Sequence, residues 1–159
     1  MKIRIITVGR LKEKYLVEAV KEYEKRLSRF CKLELIEVKD EKIPENYSQA
    51  ESNQAVKKEG LRILGHLPKD GYVATLEING KIMTSPDFAQ KIAQLGLSGT
   101  STITFIIGGS LGLHPDVIEK SNWHLSFSKM TFPHQLFKVM LLEQIYRGFK
   151  INHNETYHK

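Results

Sequence analysis

The chain has 159 residues, of which 41% are hydrophobic and 26% are charged, with a net charge of +6 and a single cysteine. This composition is typical of a globular protein, and the length supports one domain spanning residues 1–159. One cysteine excludes an intrachain disulfide and a cysteine-rich zinc site, and no apolar run approaches the roughly 18 residues of a membrane span. The first ten residues do not form a signal peptide, so we expect a cytoplasmic protein. The charge favours a polyanionic partner such as nucleic acid, although ordinary solvated lysines produce the same excess.

Strand-like and helix-like segments alternate along the chain. The pattern predicts strands at Lys2–Val8, Leu33–Val38, Tyr72–Ile78, Thr102–Ile107 and Trp123–Phe127. It predicts helices at Leu11–Phe30, from Ser48 toward His66, after Ser85, after His114, and from Pro133 to about Lys150. This alternation indicates an α/β fold with a mostly parallel sheet and helices on both faces.

Several residues predict where elements begin and end. Ser48 and Glu51 have the spacing of a capping box at the start of the second helix. Ser85 precedes a proline and is predicted to cap the third helix. Asn79–Gly80 is a turn signal that should end the third strand. Thr131 is predicted to cap the final helix.

The final helix is apolar around too much of its circumference for a single buried stripe. Its apolar residues are Leu136, Phe137, Val139, Met140, Leu141, Leu142, Ile145, Tyr146 and Phe149. One face can cover the sheet, and the other requires a second partner. The favoured interpretation is a homodimer, and the alternative is a central helix buried within one chain.

Two segments predict a small-molecule pocket at the end of the sheet. Gly108–Gly112 directly follows the fourth strand, where glycines allow a ligand to approach the backbone closely. Phe127, Met130 and Phe132 offer apolar surface for a flat ligand, and the amides of their loop offer polar groups.

A serine hydrolase is an alternative interpretation of the same glycine segment. Gly108–Gly112 matches the G-x-S-x-G pattern, with Ser110 as the nucleophile and Asp116 following it. Against this, Leu113–Pro115 delays the helix that should start almost immediately after the serine. The glycine patterns of dinucleotide and P-loop sites are absent, and the histidines show no metal-binding spacing with carboxylates, so we expect no metal.

The last residues, Asn152–Lys159, carry no strong signal for regular structure. Chain ends of this kind are usually frayed. The tail nevertheless contains Tyr157 and His158, and an imidazole exchanges protons near neutral pH. A catalytic tail is therefore the second interpretation.

Longer stretches match a known family in the same order along the chain. They are Val8–Lys12 with Tyr15, Glu22–Leu27, Leu76–Glu77 with Gly80–Lys81, Phe105–Ser110 with Gly112, Leu125–Gln135, and Tyr157–Lys159. Through them essentially the whole chain resembles the ribosomal RNA large-subunit methyltransferase H family of the SPOUT superfamily. The chain departs from the family pattern at Leu111 and at His153–Asn154.

The resemblance implies a fold, a reaction and a set of site residues. It implies a C-terminal trefoil knot, a homodimer, S-adenosylmethionine as methyl donor, and N3 of a pseudouridine in large-subunit (23S) ribosomal RNA as acceptor. The residues implied for the cofactor pocket are Leu76, Gly108, Phe127, Ser128, Lys129, Met130, Thr131 and Phe132. Tyr157 and His158 would lie near the reacting base, one of them serving as the base that removes the N3 proton.

Substrate RNA requires cations, and three are candidates. Lys129, Arg147 and Lys159 are predicted to hold RNA phosphates, although Lys129 and Arg147 would look the same as ordinary solvated charges. A non-catalytic ribosome-binding module that keeps the pocket without turnover is a further alternative.

Overall fold

Residues 1–159 are described by a computed structural model in which five strands and five helices alternate. They are β1 (Lys2–Val8), α1 (Lys14–Leu27), β2 (Lys32–Val38), α2 (Gln49–Leu64), β3 (Tyr72–Ile82), α3 (Ser85–Leu97), β4 (Thr102–Ile107), α4 (Pro115–Glu119), β5 (Trp123–Ser126) and α5 (His134–Asn152). The predicted order of elements is confirmed. None of the helices has the length and hydropathy needed to cross a bilayer.

All five strands pair in parallel in one sheet, in the order β2-β1-β4-β3-β5. Strand β1, which lies between β2 and β4, places Lys2 opposite Lys32 on one side and opposite Thr102 on the other. Its residues Ile3 and Ile5 are completely buried, as is Phe105 in β4. The α/β prediction is confirmed, and the parallel pairing brings the carboxyl ends of all the strands to the same edge.

The helices cover both faces of the sheet. On one face α1, α3 and α5 supply Val20, Ile92 and Leu141 to the larger apolar core. On the other face α2 and α4 supply Ile63 and Val117 to a smaller one. Burial on both faces explains why the central strands are continuous apolar runs rather than alternating ones.

Helix α5 lies between α1 and α3, which accounts for much of its apolar circumference. Leu141, Leu142 and Ile145 are completely buried in this position. An apolar strip remains open nonetheless, because Leu136 is 36% exposed and Phe132, just before the helix, is 37% exposed. The central-helix interpretation therefore explains part of the pattern, and a strip is left for a second partner.

The prediction that Asn79–Gly80 ends the third strand is wrong. Strand β3 continues to Ile82, and both Leu76 and Lys81 pair with Leu125 of β5. The residues between them form a bulge that keeps the strand in the sheet. The turn signal marked an irregularity within a strand instead of its end.

Two of the predicted helix caps are wrong and one is confirmed. Ser48 and Glu51 form the expected capping box. The third helix is capped by Thr84 rather than Ser85, whose hydroxyl instead donates to Gln144 of α5 at 2.7 Å. Thr131 does not cap α5, because the chain stays extended through Pro133 and the cap position has no side-chain hydrogen bond.

Gly80 should be essential to the bulge. A Cβ atom there would lie 2.7 Å from the carbonyl carbon of Leu125, and neither backbone can move independently. We expect Gly80→Ala to lower the free energy of unfolding by about 1–3 kcal/mol, measured by urea denaturation. The control is Gly65→Ala, because Gly65 has φ −63° and its nearest neighbours would be 3.5 Å away. Equal midpoints for the two variants would contradict this account of the bulge.

Candidate active site

A cavity of about 640 Å³ opens at the carboxyl edge of the sheet, where β3, β4 and β5 end and α5 begins. The predicted cofactor residues that line it are Leu76, Gly108, Phe127, Ser128, Met130, Thr131 and Phe132. Lys129 is not among its lining residues and is exposed. The edge of the sheet thus brings together side chains from three separate parts of the chain.

Aromatic rings form one wall of the cavity. Phe137 of α5 has its ring centroid 4.9 Å from that of Phe127 and 6.3 Å from that of Phe132. Leu76, just before the bulge of β3, and Ile107, at the end of β4, add aliphatic surface. An apolar wall of this kind suits a flat ring system.

The glycine segment after β4 closes a tight turn against the cavity. The Gly112 amide donates to the Gly109 carbonyl at 3.1 Å, and Gly112 has a left-handed φ of +82°. A Cβ atom on Gly108 would lie 2.9 Å from the Gly112 carbonyl group. The turn itself therefore requires glycine at position 108, in addition to any need for a ligand to approach the backbone.

Glu77 supplies a carboxylate that the sequence interpretation did not assign to the site. The β3 bulge places it on the cavity wall, where its Oε2 accepts from the Thr75 hydroxyl at 2.6 Å and lies 2.5 Å from His124 Nδ1. Its position directly after the buried part of β3 was the available signal. A carboxylate here can receive hydroxyl or cationic groups of a ligand.

The first turn of α5 also borders the cavity. Pro133 and His134 are among the lining residues, and no side chain caps the helix. Amides in the first turn of a helix have no partners within the helix and favour anionic groups. The cavity thus combines an apolar wall, a carboxylate and free amides. No group of three histidine, cysteine or acidic side chains is arranged to hold a metal ion.

The predicted catalytic tail packs against the second half of α5 and does not line the cavity of its own chain. The Tyr157 hydroxyl donates to Glu143 Oε1 at 3.1 Å, and the Tyr157 ring meets Tyr146 edge-on at 5.0 Å. Arg147 lies over the Tyr157 ring at 4.7 Å, and its Nη1 is 3.2 Å from His158 Nδ1. Arg147, predicted as a phosphate contact, is therefore a neighbour of both tail residues.

The tail is anchored at its start. Asn154 has a left-handed φ of 54° that turns the chain out of α5, and the Glu155 amide donates to the Lys150 carbonyl at 3.0 Å. The Glu155 carboxylate also pairs with Arg29, which follows α1, at 2.5 Å and with Lys150 of α5. The frayed-end interpretation is not what the structure shows, because these contacts fix the tail against α5 and the turn that follows α1.

Comparison with known proteins identifies the family. A family model described as "Predicted SPOUT methyltransferase" matches residues 1–158. The chain belongs to the SPOUT methyltransferase family. Proteins named ribosomal RNA large subunit methyltransferase H, from Clostridium tetani and Enterococcus faecalis, are 58% and 54% identical to it over all 159 residues and over their full lengths. The resemblance drawn from the motifs is confirmed.

A solved structure shares the fold of this chain. A Haemophilus influenzae protein, described as a probable methylase family protein, aligns with a TM-score of 0.57 at 12% identity. The alignment covers 99% of this chain and 70% of the other. At this identity the likeness concerns the fold alone, and it agrees with the parallel sheet described above.

The SPOUT glycine loop does not have the geometry of a nucleophile elbow. Ser110 lies within the turn closed by Gly109 and Gly112, and α4 begins only at Pro115. His114, the nearest histidine along the chain, has its Nδ1 engaged by the Asp116 amide at 3.1 Å. The structure therefore does not support the hydrolase interpretation.

Proposed function

We propose that this protein transfers a methyl group from S-adenosylmethionine to N3 of a pseudouridine in large-subunit (23S) ribosomal RNA, in the cytoplasm. One observation carries the proposal: in a SPOUT family member, seven of the eight residues implied for the cofactor pocket line one cavity at the carboxyl edge of the sheet. The names of the full-length relatives support ribosomal RNA as the substrate. The predicted trefoil knot belongs to the same proposal.

The cavity has the chemistry that S-adenosylmethionine requires. Its volume of about 640 Å³ lies within the usual range for small-molecule sites. The wall formed by Phe127, Phe132 and Phe137 suits the adenine ring, and Glu77 suits the ribose hydroxyls or a cationic group. The first turn of α5 suits the ligand's carboxylate. The donor supplies a methyl group already activated on a positively charged sulfur, so the protein chiefly has to align the two reactants.

The acceptor requires proton removal and RNA binding. The N3 imide proton must leave before the nitrogen can attack, and Tyr157 and His158 are the proposed catalytic groups. The net charge of +6 favours RNA, and Lys129 and Lys159 are exposed and available for phosphates. Arg147 is held by Glu143, which favours a role in ordering the tail over the phosphate contact first assigned to it.

The separation of the tail and the cavity supports a homodimer as part of the proposal. Tyr157 and His158 contact the second half of α5, whereas the cavity borders its first turn. For both to act on one base, the tail of a second copy must reach the cavity of the first. The exposed apolar strip at Phe132 and Leu136 supports such a partner at this end of α5.

Calorimetric titration should show one saturable site for S-adenosylmethionine that survives a metal chelator and is blocked by S-adenosylhomocysteine. Gly108→Val should abolish binding, because a branched side chain displaces the turn against Gly112. Ser110→Ala is the matched control in the same loop and should bind normally. If the wild-type protein gives no heat of binding with S-adenosylmethionine and S-adenosylhomocysteine does not compete, the proposed cofactor is refuted.

Methyl transfer should be assayed with labelled S-adenosylmethionine on free 23S RNA, the large subunit and the assembled ribosome. We expect label in large-subunit RNA from at least one of them, recovered as N3-methylpseudouridine. Deleting Tyr157–Lys159 should abolish transfer, whereas Ser110→Ala should retain it. Cofactor and ribosome binding without label on any substrate would contradict the reaction and favour the non-catalytic module.

A further inference from the structure

Glu143 forms hydrogen bonds with both Arg147 and Tyr157. Its Oε1 accepts from Arg147 Nη2 at 2.7 Å and from the Tyr157 hydroxyl at 3.1 Å. Arg147 Nε donates to the same carboxylate at 3.1 Å, so the arginine binds it with two groups. The Glu143 side chain is only 19% exposed. One carboxylate on α5 therefore orients both the guanidinium and the phenol.

Arg147 determines which nitrogen of His158 carries a proton. A guanidinium only donates hydrogen bonds, so His158 Nδ1, 3.2 Å from Arg147 Nη1, must be the acceptor. The neutral ring then carries its proton on Nε2. Both nitrogens are occupied, one by the arginine and the other by hydrogen. In this arrangement His158 can donate a hydrogen bond to a base but cannot remove its proton.

Tyr157 has the complementary arrangement. Its proton points to Glu143, and the Tyr23 hydroxyl lies within hydrogen-bonding reach of its oxygen, which keeps a further lone pair able to receive another proton. Burial, and next the charge of Glu143, raise the pKa of Tyr157, so the phenol is protonated at neutral pH. The other ionisable groups facing it are Tyr23 and Arg26 of α1 and Arg147 of α5, and Arg147 acts in the lowering direction.

We propose that Glu143 is a positioning residue that makes Tyr157, and not His158, the group that receives the N3 proton. This inference rests on the proposed function. The N3–H bond breaks as its proton passes to Tyr157 Oη, while the original phenol proton passes to the Glu143 carboxylate. The nitrogen electron pair forms the bond to the methyl carbon, and the carbon–sulfur pair returns to sulfur. Glu143 then releases its proton to water, and His158 donates a hydrogen bond to the base through Nε2.

The test is the single-turnover methylation rate as a function of pH, with saturating S-adenosylmethionine and the ribosomal substrate that wild type methylates. Glu143→Gln keeps an acceptor for Tyr157 but cannot take its proton. We expect a loss of about 10²-fold or more near pH 7. The difference in rate between Glu143→Gln and wild type should shrink as pH rises, because N3 then loses its proton to the solvent without help from the protein. Tyr157→Phe leaves the pair between Glu143 and Arg147 intact and should show the same loss and the same pH dependence.

A second measurement is independent of turnover. Carbon-13 tyrosine NMR should show the pKa of Tyr157 lower in Glu143→Gln than in wild type, because a raising charge has been removed. His158→Ala should lose less than about tenfold in rate, since it removes only a hydrogen-bond donor.

The outcomes separate this inference from the function on which it rests. If wild type is active and the methylation rate of Glu143→Gln is lower by the same factor at every pH, Glu143 has only a structural role. That result would overturn the inference. The pH-dependent loss appearing in His158→Ala instead would also overturn it. Wild-type protein that methylates none of the three ribosomal substrates would refute the proposed function itself.

Discussion

The parallel pairing of five strands is the constraint on which the rest of the structure depends. Parallel strands run in the same direction, so all their carboxyl ends meet at one edge of the sheet. Each connection between them then needs a crossover, usually a helix. At that edge β3 bulges around Gly80, β4 runs into the glycine turn, and β5 runs into the Phe127–Phe132 loop. The cavity is a consequence of where these three strands stop. Burial on both faces, as at Ile5 on one face and Ile106 on the other, makes the arrangement rigid enough to hold the loops in place.

Helix α5 connects the two halves of the proposed chemistry. Its first turn borders the cavity, its middle is buried between α1 and α3, and its second half carries Glu143 and Arg147. The two functional regions are held at opposite ends of one rigid element. A chain built in this way cannot bring its own tail to its own cavity without breaking several ion pairs, of which that between Glu155 and Arg29 is one. A second copy can bring its tail to the cavity of the first without breaking these ion pairs.

The elements with a strong local pattern could be predicted from the sequence. The bounds of β1 and β4, and the capping box at Ser48, follow from hydrophobicity and hydrogen-bonding rules within a few residues. The bulge in β3 could not be predicted, because Asn79–Gly80 is equally compatible with a turn and only the neighbouring β5 decides between them. The Thr131 cap failed for a related reason, since that residue lines the cavity instead.

The same limit applies to the candidate site. The cavity lining could be anticipated from the glycine turn and the Phe127–Phe132 loop, whereas Glu77 depends on the path of the bulge. The order in the tail depends on contacts that local patterns do not show, such as the ion pair between Glu155 and Arg29, which are 126 residues apart in the sequence. Local signals therefore predicted a frayed end, and tertiary contacts decide otherwise.

The most direct test of the central claim is activity in mixed dimers. Gly108→Val chains and chains lacking Tyr157–Lys159 should each be inactive alone, one for want of a cavity and the other for want of a tail. Co-refolded in equal amounts, half of the dimers should be mixed and contain one complete site, so roughly a quarter of wild-type methyl transfer should return. Mixed dimers that form, as shown by light scattering and differential tags, but restore no activity would contradict a site shared between two copies.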